Sequence, residues 1–305
     1  MIKSQNNLSV KRFLQVANYA FKELIKNDPL RMAGATSFFT TFALPPILLI
    51  IIQVLGLLFD PQRIRHELFL RLGSIIGNAS MQQVINTLTA FKELAKNWYV
   101  TIGGFLFLIF VATTLFVVIK SSLNQLWNIK VVHKRSLWVR MRARFRSVVV
   151  IIVAGVLFVI GLLAEGMQTF LGGYISRISP QLEIYFNSAL NYVLSIIIVT
   201  IWFAIVFRFL PDGRPAWKVA FTGAFVTGFL FTIGKLILHW LLSYSNINTL
   251  YGASGSIVLL LLFVFYSSFI LYYGATFTKE WGLHIHHPIQ PLPYAMHYHL
   301  TVTKI

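Results

Sequence analysis

Three ionisable residues stand inside long apolar runs of this chain: Glu165 within Val148–Phe170, and Lys235 and His239 within Val219–Leu242. An ionisable side chain at membrane depth costs several kcal/mol unless it is paired or wetted, so each is a candidate for function. Glu165 and Lys235 both lie a few residues before the outer ends of their runs, at similar depth. His239 follows Lys235 by one helical turn on the same face. Two arrangements account for the group. In one, a polar cavity in the outer half sets Lys235 opposite Glu165 or an anionic ligand. In the other, the two charges form a structural pair between helices, or Lys235 snorkels to the surface.

A second candidate opens the last apolar run. Asn246-Ile-Asn-Thr-Leu-Tyr-Gly-Ala-Ser-Gly-Ser leads into a helix whose N-terminus carries Ser254, Gly255 and Ser256. Free backbone N–H groups and the helix dipole attract an anion such as phosphate there. Helix capping by Ser254 or Ser256 explains the same composition without a ligand. Pro45 and Pro46 lie within the first apolar run, where lost backbone donors are expected to kink or interrupt the helix. Gly34, Ser37 and Thr41 line one face just before them, so this half-helix should face protein or water.

The elements that position these groups follow from composition. Of 305 residues 57% are hydrophobic and 11% charged, less than half the roughly 25% typical of soluble domains. That excludes a disordered chain and argues against a soluble enzyme. A bilayer core of about 30 Å needs roughly 20 helical residues. Six runs meet that length: Ala33–Phe59, Trp98–Ile119, Val148–Phe170, Leu190–Phe207, Val219–Leu242 and Ser256–Phe277. None alternates in polarity as a barrel strand would. The expected fold is all-α, a polytopic membrane protein with six transmembrane helices plus amphipathic surface helices. The first run is too long for a signal h-region and is expected to stay as an anchor.

Orientation follows from the basic residues, 26 Lys and Arg against nine acids. Lys3, Lys11, Arg12, Lys22, Lys26 and Arg31 precede the first run. Lys120, Lys130, Lys134, Arg135, Arg140, Arg142, Arg144 and Arg146 crowd the second connection, and Arg208, Arg214, Lys218, Lys279 and Lys304 fall on the same side. The opposite side holds Arg63, Arg65, Arg71, Lys92, Lys96 and Arg177. The positive-inside rule puts both termini in the cytoplasm. Topology accounts for most of the +17 net charge, and no nucleic-acid partner is needed. With no cysteine there is neither a disulfide nor a thiolate metal site.

The chain divides into a cytoplasmic amphipathic segment (1–32), a transmembrane domain (33–277) with an extracytoplasmic helical segment (60–97), and a cytoplasmic His/Pro-containing tail (278–305). In the first, Val10, Phe13, Leu14, Ala17, Phe21, Leu24 and Ile25 form one stripe, suited to the anionic leaflet or to packing on the inner ends of the spans. In 60–97, Met81, Val84, Ile85, Leu88, Phe91 and Leu94 form another. Ala220, Ala224 and Gly228, with Gly223 and Thr227, repeat small residues at four-residue spacing, which lets helices approach closely in lipid. The tail, broken by prolines, is expected to be partly disordered.

Arg31-Met-Ala-Gly-Ala-Thr-Ser-Phe-Phe-Thr-Thr-Phe-Ala-Leu-Pro-Pro resembles the opening of the YihY/BrkB family of bacterial inner-membrane proteins. Tyr251-Gly-Ala-Ser-Gly-Ser-Ile-Val, continuing to Tyr273-Gly-Ala-Thr-Phe-Thr-Lys-Glu-Trp, resembles that family's last span. The resemblance implies a helical inner-membrane fold. Members have been labelled ribonuclease BN or virulence factors, and some are linked to envelope lipid or lipopolysaccharide handling. A zinc ribonuclease needs His-x-His-x-Asp-His and further ligands to activate water. Here His284, His286 and His287 have no acid beside them or after Glu280, with only His297 and His299 further on. The nine acids are scattered, so no carboxylate cluster for magnesium is expected. The expectation is a protein without catalytic activity, metal or cofactor that binds or translocates an anionic amphiphile, a phospholipid or lipopolysaccharide precursor. The alternative is a non-transporting scaffold that docks envelope or cytoplasmic partners, or further copies of itself.

Overall fold

The computed structural model describes residues 2–57, 59–94, 98–132, 152–153, 155–157, 159–161, 180–244 and 255–298. They are mostly helical. In chain order the helices are α1 (Ile2–Ile25), α2 (Pro29–Leu55), α3 (Pro61–Ile76), α4 (Asn78–Leu94), α5 (Trp98–Leu126), α6 (Pro180–Phe209), α7 (Trp217–Tyr244) and α8 (Gly255–His284). Four short strands accompany them: β1 (Ile129–Val131), β2 (Gly213–Arg214), β3 (Gln290–Pro291) and β4 (Ala295–His297). Among the described residues, Trp217–Leu238 and Ile257–His284 are long and apolar enough to cross a membrane, and Val193–Phe209 is a shorter apolar helix. Most of the expected third span, Glu165 included, lies outside the described residues.

Helix α8 is the centre of the bundle, packed against α7, α2, α1, α4, α5 and α3. Its Tyr272 hydroxyl meets Thr36 of α2 at 2.5 Å, with Ser122 of α5 as a further hydroxyl partner. One turn on, the Trp127 indole N–H donates to the Ala275 carbonyl (2.9 Å). Polar groups in a water-free interior must be bonded, and these bonds pin three helices to one level. Helix α2 carries Thr36 and Ser37 buried on one face and Phe38 and Phe42 exposed on another, as its small polar residues suggested. It runs through Pro45-Pro46 without interruption. In the preceding turn the Thr40 and Thr41 hydroxyls donate to the Thr36 and Ser37 carbonyls, a local back-bonding that helices tolerate with slight bending.

The α3–α4 hairpin is not a surface appendage. Asp60 caps α3 by accepting from Gln62 N–H (3.0 Å), Pro61 opens it, and Gly77 (φ 89°) turns the chain into α4. Ile64, Leu68, Met81, Val84 and Leu88 then join the main core beside Leu48, Ile51, Ile52 and Leu55 of α2 and Leu260 and Val264 of α8. The stripe read in 60–97 is thus buried as far as Leu88; the side chains of Phe91 and Leu94 lie outside the described residues.

Helix α1 packs on α8. Val16 and Ala20 bury against Phe277, Phe13 sits 5.3 Å from Phe277 and 5.9 Å from Trp281, and the Tyr273 hydroxyl donates to the Ala17 carbonyl. Its stripe therefore serves packing on the C-terminal end of a long helix. Leu14, Phe21 and Ile25 nevertheless remain exposed on its other flank.

The tail departs most from expectation. Residues 285–298 are ordered: β4 pairs antiparallel with β1 and β3 with β2. His286 takes φ 58° to turn the chain back after α8, and the tail's strands find edges supplied by the end of α5 and by the α6–α7 connection. The prolines break the helix without freeing the chain.

Candidate functional site

The most elaborate polar centre among the described residues is one that composition and motifs did not single out. Lys120 and Asn124, four apart on one face of α5, point at the α6–α7 connection. There Leu210-Pro211-Asp212-Gly213 turns the chain, and Asp212 is fully buried. Its carboxylate accepts from Lys120 Nζ (2.6 Å), Asn124 Nδ2 (2.8 Å) and the Tyr294 hydroxyl (2.9 Å). Its backbone N–H donates to Asn124 Oδ1 (2.8 Å), and its carbonyl accepts from Leu292 N–H (2.9 Å). One residue thus ties together α5, the α6–α7 connection and the tail. Gly213 is required beside it, because a Cβ there would run into Ile129 and Ile289. Asn128 (φ 54°) ends α5 so that β1 can reach the same place.

Burial alone would push the Asp212 carboxyl up. The Lys120 ammonium, by hydrogen bond and by charge, together with Asn124 and Tyr294, outweighs that and holds it below its ordinary 3.8. A depressed carboxyl contributes stability above its unfolded value and loses it as pH falls through the folded one. Unfolding followed from pH 7 downward should accordingly be flat to about pH 4 and steepen below. In Asp212→Asn the acid-side slope should shrink. An equal slope in both proteins would mean that other carboxylates carry the acid sensitivity.

Chemically this is a latch. A single carboxylate to which Lys120, Asn124 and Tyr294 all donate is held in the ionised state and poorly placed to accept a proton from a substrate. Among the described residues, no group of three or more His, Asp or Glu is placed to hold a metal. His297 spends its Nε2 on the Ile289 carbonyl at 3.0 Å.

Of the residues the sequence nominated, Lys235 is described in full. It is half-buried in α7, and it shares the face of Gly228 and Phe231. That face meets α6 through Gly228 against Thr200, while Phe231 lies between Phe203 of α6 and Phe263 of α8. Among the described residues Lys235 has no hydrogen bond or ion pair. His239 lies one turn further along α7, its side chain outside the description, and Glu165 and Ser254 fall outside the described residues. Gly255 and Ser256 do form the first turn of α8.

The structure does not bring Lys235 and that turn together. Gly234 abuts Tyr266 across the antiparallel α7–α8 contact, which sets Lys235 level with the middle of α8. Gly255 is eleven residues earlier than Tyr266, about 16 Å along the axis. Gly234, not Lys235, is the residue turned into the α8 contact. The sequence located both features but could not give their separation.

The α7–α8 contact itself matches the small-residue reading. Ala220, Ala224 and Thr227 are fully buried. A Cβ on Gly223 would strike the Thr278 hydroxyl, and one on Gly274 the Thr227 hydroxyl.

Comparison with known proteins agrees with this architecture. The family model described as "Virulence factor BrkB" matches residues 20–293. A UPF0761 membrane protein of Ralstonia nicotianae is 23% identical over 274 residues, covering 88% of this chain and 59% of its own length. One from Mannheimia succiniciproducens is 22% identical, covering 84% of this chain and 86% of its own length. A third, from Tolumonas auensis, is 25% identical over 83% of this chain and 81% of its own. The chain spans about 60% of the length of the first of these relatives. No solved structure matches the chain. A bundle built on α8, small residues at its closest contact and a match over almost the whole length lead to one assignment: the chain is a helical membrane protein of the BrkB family.

Proposed function

We propose that this protein binds or translocates an anionic amphiphile, a phospholipid or a lipopolysaccharide precursor, in a bacterial inner membrane. In this reading six helices span the bilayer, both termini are cytoplasmic, and the protein has no catalytic activity. The observation that carries it is Lys235, a half-buried cation in an apolar helix with no ionic partner among the described residues. A phosphate-bearing headgroup supplies the charge that such a site lacks. The basic bias of the expected cytoplasmic segments supports the orientation.

The interlocked α7–α8 contact and the latched tail favour a second reading, a rigid scaffold that docks other proteins and moves nothing. Quantifying phospholipid retained by the purified protein separates the two. Lys235→Met, which keeps the stem and removes the charge, should lower retained anionic lipid several-fold without changing folding. Unchanged retention favours the scaffold. Because the chain has no cysteine, a single cysteine added at either end reports orientation. Labelling from the exterior of intact cells would overturn the proposed topology.

A further inference from the structure

Helices α1 and α8 leave a groove between them of about 450 Å³, within the roughly 300–1,000 Å³ that small-molecule sites occupy. Arg12, Gln15 and Tyr19 form one wall, Glu280 and His284 the other, and Val16 and Leu283 supply apolar surface. Glu280 is 9% exposed. Its nearest cation, Lys279, stands 3.7 Å from Oε1, longer than a hydrogen bond, and also lies 4.0 Å from Glu23. The Lys279 ammonium is thus the donor that the Glu280 carboxylate has, at long range and shared with Glu23. A buried carboxylate in that state is costly, and a donor entering the groove relieves it. Arg12 faces the same space without pairing to Glu280. The groove therefore offers a cation and a carboxylate on opposite walls, each open to a ligand.

We propose that this groove holds the headgroup of an inner-leaflet phosphatidylethanolamine-type lipid, with its ammonium on Glu280 and its phosphate on Arg12 and His284. A zwitterion with both charges a few atoms apart fits two walls of opposite sign, whereas a purely anionic headgroup meets repulsion from Glu280. The occupant is a lipid because the groove borders membrane-facing surface. Leu283, within the apolar stretch Ile257–His284 that is long enough to cross a membrane, is 51% exposed at its lip, and the flank of α1 away from the groove carries Leu14, Phe21 and Ile25 exposed beside Lys11 and Lys22. That is the pattern of a helix lying at a membrane interface. The placement at the inner leaflet rests on the topology proposed above; the Lys235 site, level with the middle of α8, is independent of it.

The test uses the full chain in nanodiscs holding equal phosphatidylethanolamine and phosphatidylglycerol, with retained lipids counted by native mass spectrometry. Wild-type protein should retain phosphatidylethanolamine preferentially. Glu280→Gln should reduce that preference by about tenfold, the worth of one charge-assisted hydrogen bond. Arg12→Ala, at an exposed position, should lower retention of phosphatidylethanolamine. Lys235→Met should lower the retained phosphatidylglycerol and leave the retained phosphatidylethanolamine unchanged, so the two sites can fail separately. Equal retention of the two lipids by the Lys235→Met protein, in which the groove alone selects, or an unaltered preference in both groove variants, overturns the proposal.

Discussion

Asp212→Ala should be among the most damaging single changes in the described chain, costing about 3–5 kcal/mol of stability, the range for breaking a buried, hydrogen-bonded ion pair. The substitution strips Lys120, Asn124 and Tyr294 of a shared acceptor in a place that water does not reach. It also removes a contact between elements far apart in sequence, so the damage should spread. With Tyr294 released, the tail loses a side-chain anchor and the β1–β4 and β2–β3 pairs, only two or three residues long, are too short to hold it alone. Two measurements check this: unfolding in mixed micelles, and limited proteolysis, in which cleavage within 285–298 should accelerate in the variant. Tyr294→Phe separates the parts. It keeps the ring and the Lys120–Asp212 pair while deleting one hydrogen bond, and should cost about 1–3 kcal/mol. Should Asp212→Ala move stability by less than about 1 kcal/mol, the carboxylate is solvated and the latch does not exist.

This latch shows where reading the chain residue by residue stops. Pro211-Asp212-Gly213 announces a turn, because Pro sets φ and Gly accepts close approach, but nothing in those three residues reports burial. The burial comes from Lys120, 92 residues before, and Tyr294, 82 residues after. The tail failed for the same reason. Strands of two or three residues carry no periodicity, so Gln290–Pro291 and Ala295–His297 looked like the debris of a broken helix. Long apolar helices were legible because length and hydrophobicity are local: α7 and α8 begin within two residues of the expected runs. Their ends overran where polar residues continue the helix beyond any apolar criterion, as at the end of α8. For α1 the stripe was readable and its partner was not, since Phe277 and Trp281 offer the same apolar surface as a lipid would. Lys235 was readable as misplaced in lipid, but its level beside the middle of α8 depends on the Gly234–Tyr266 contact.

Those glycines make the sharpest test of the packing. Propensity alone says that Gly274→Ala stabilises a helix by about 1 kcal/mol. The structure says the opposite. Thr227 donates to the Gly223 carbonyl in its own helix (2.7 Å) while its side chain fills the space over Gly274. Thr278 does the same in mirror order, donating to the Gly274 carbonyl (2.7 Å) and covering Gly223. Each threonine is satisfied at home and serves as the other helix's packing surface, so neither can withdraw without leaving its hydroxyl unbonded. A methyl group at residue 274 must therefore push α7 and α8 apart. In lipid, where close van der Waals contact holds helices together, the loss extends along the whole contact from Gly223 to Tyr266. Gly274→Ala should lower stability by about 1–3 kcal/mol, the usual cost of overpacking, and Gly274→Leu should prevent recovery of monodisperse protein. Thr227→Ala removes the hydroxyl and methyl groups but keeps a Cβ 2.8 Å from the new one, so Gly274→Ala combined with Thr227→Ala should regain part of the loss. That coupling, about 0.5–3 kcal/mol between touching residues, is what a packing contact predicts and propensity does not. If Gly274→Ala proves as stable as wild type or more so, the two helices are further apart than described, and the rigid support this contact gives to α7, and through it to Lys235, is lost with it.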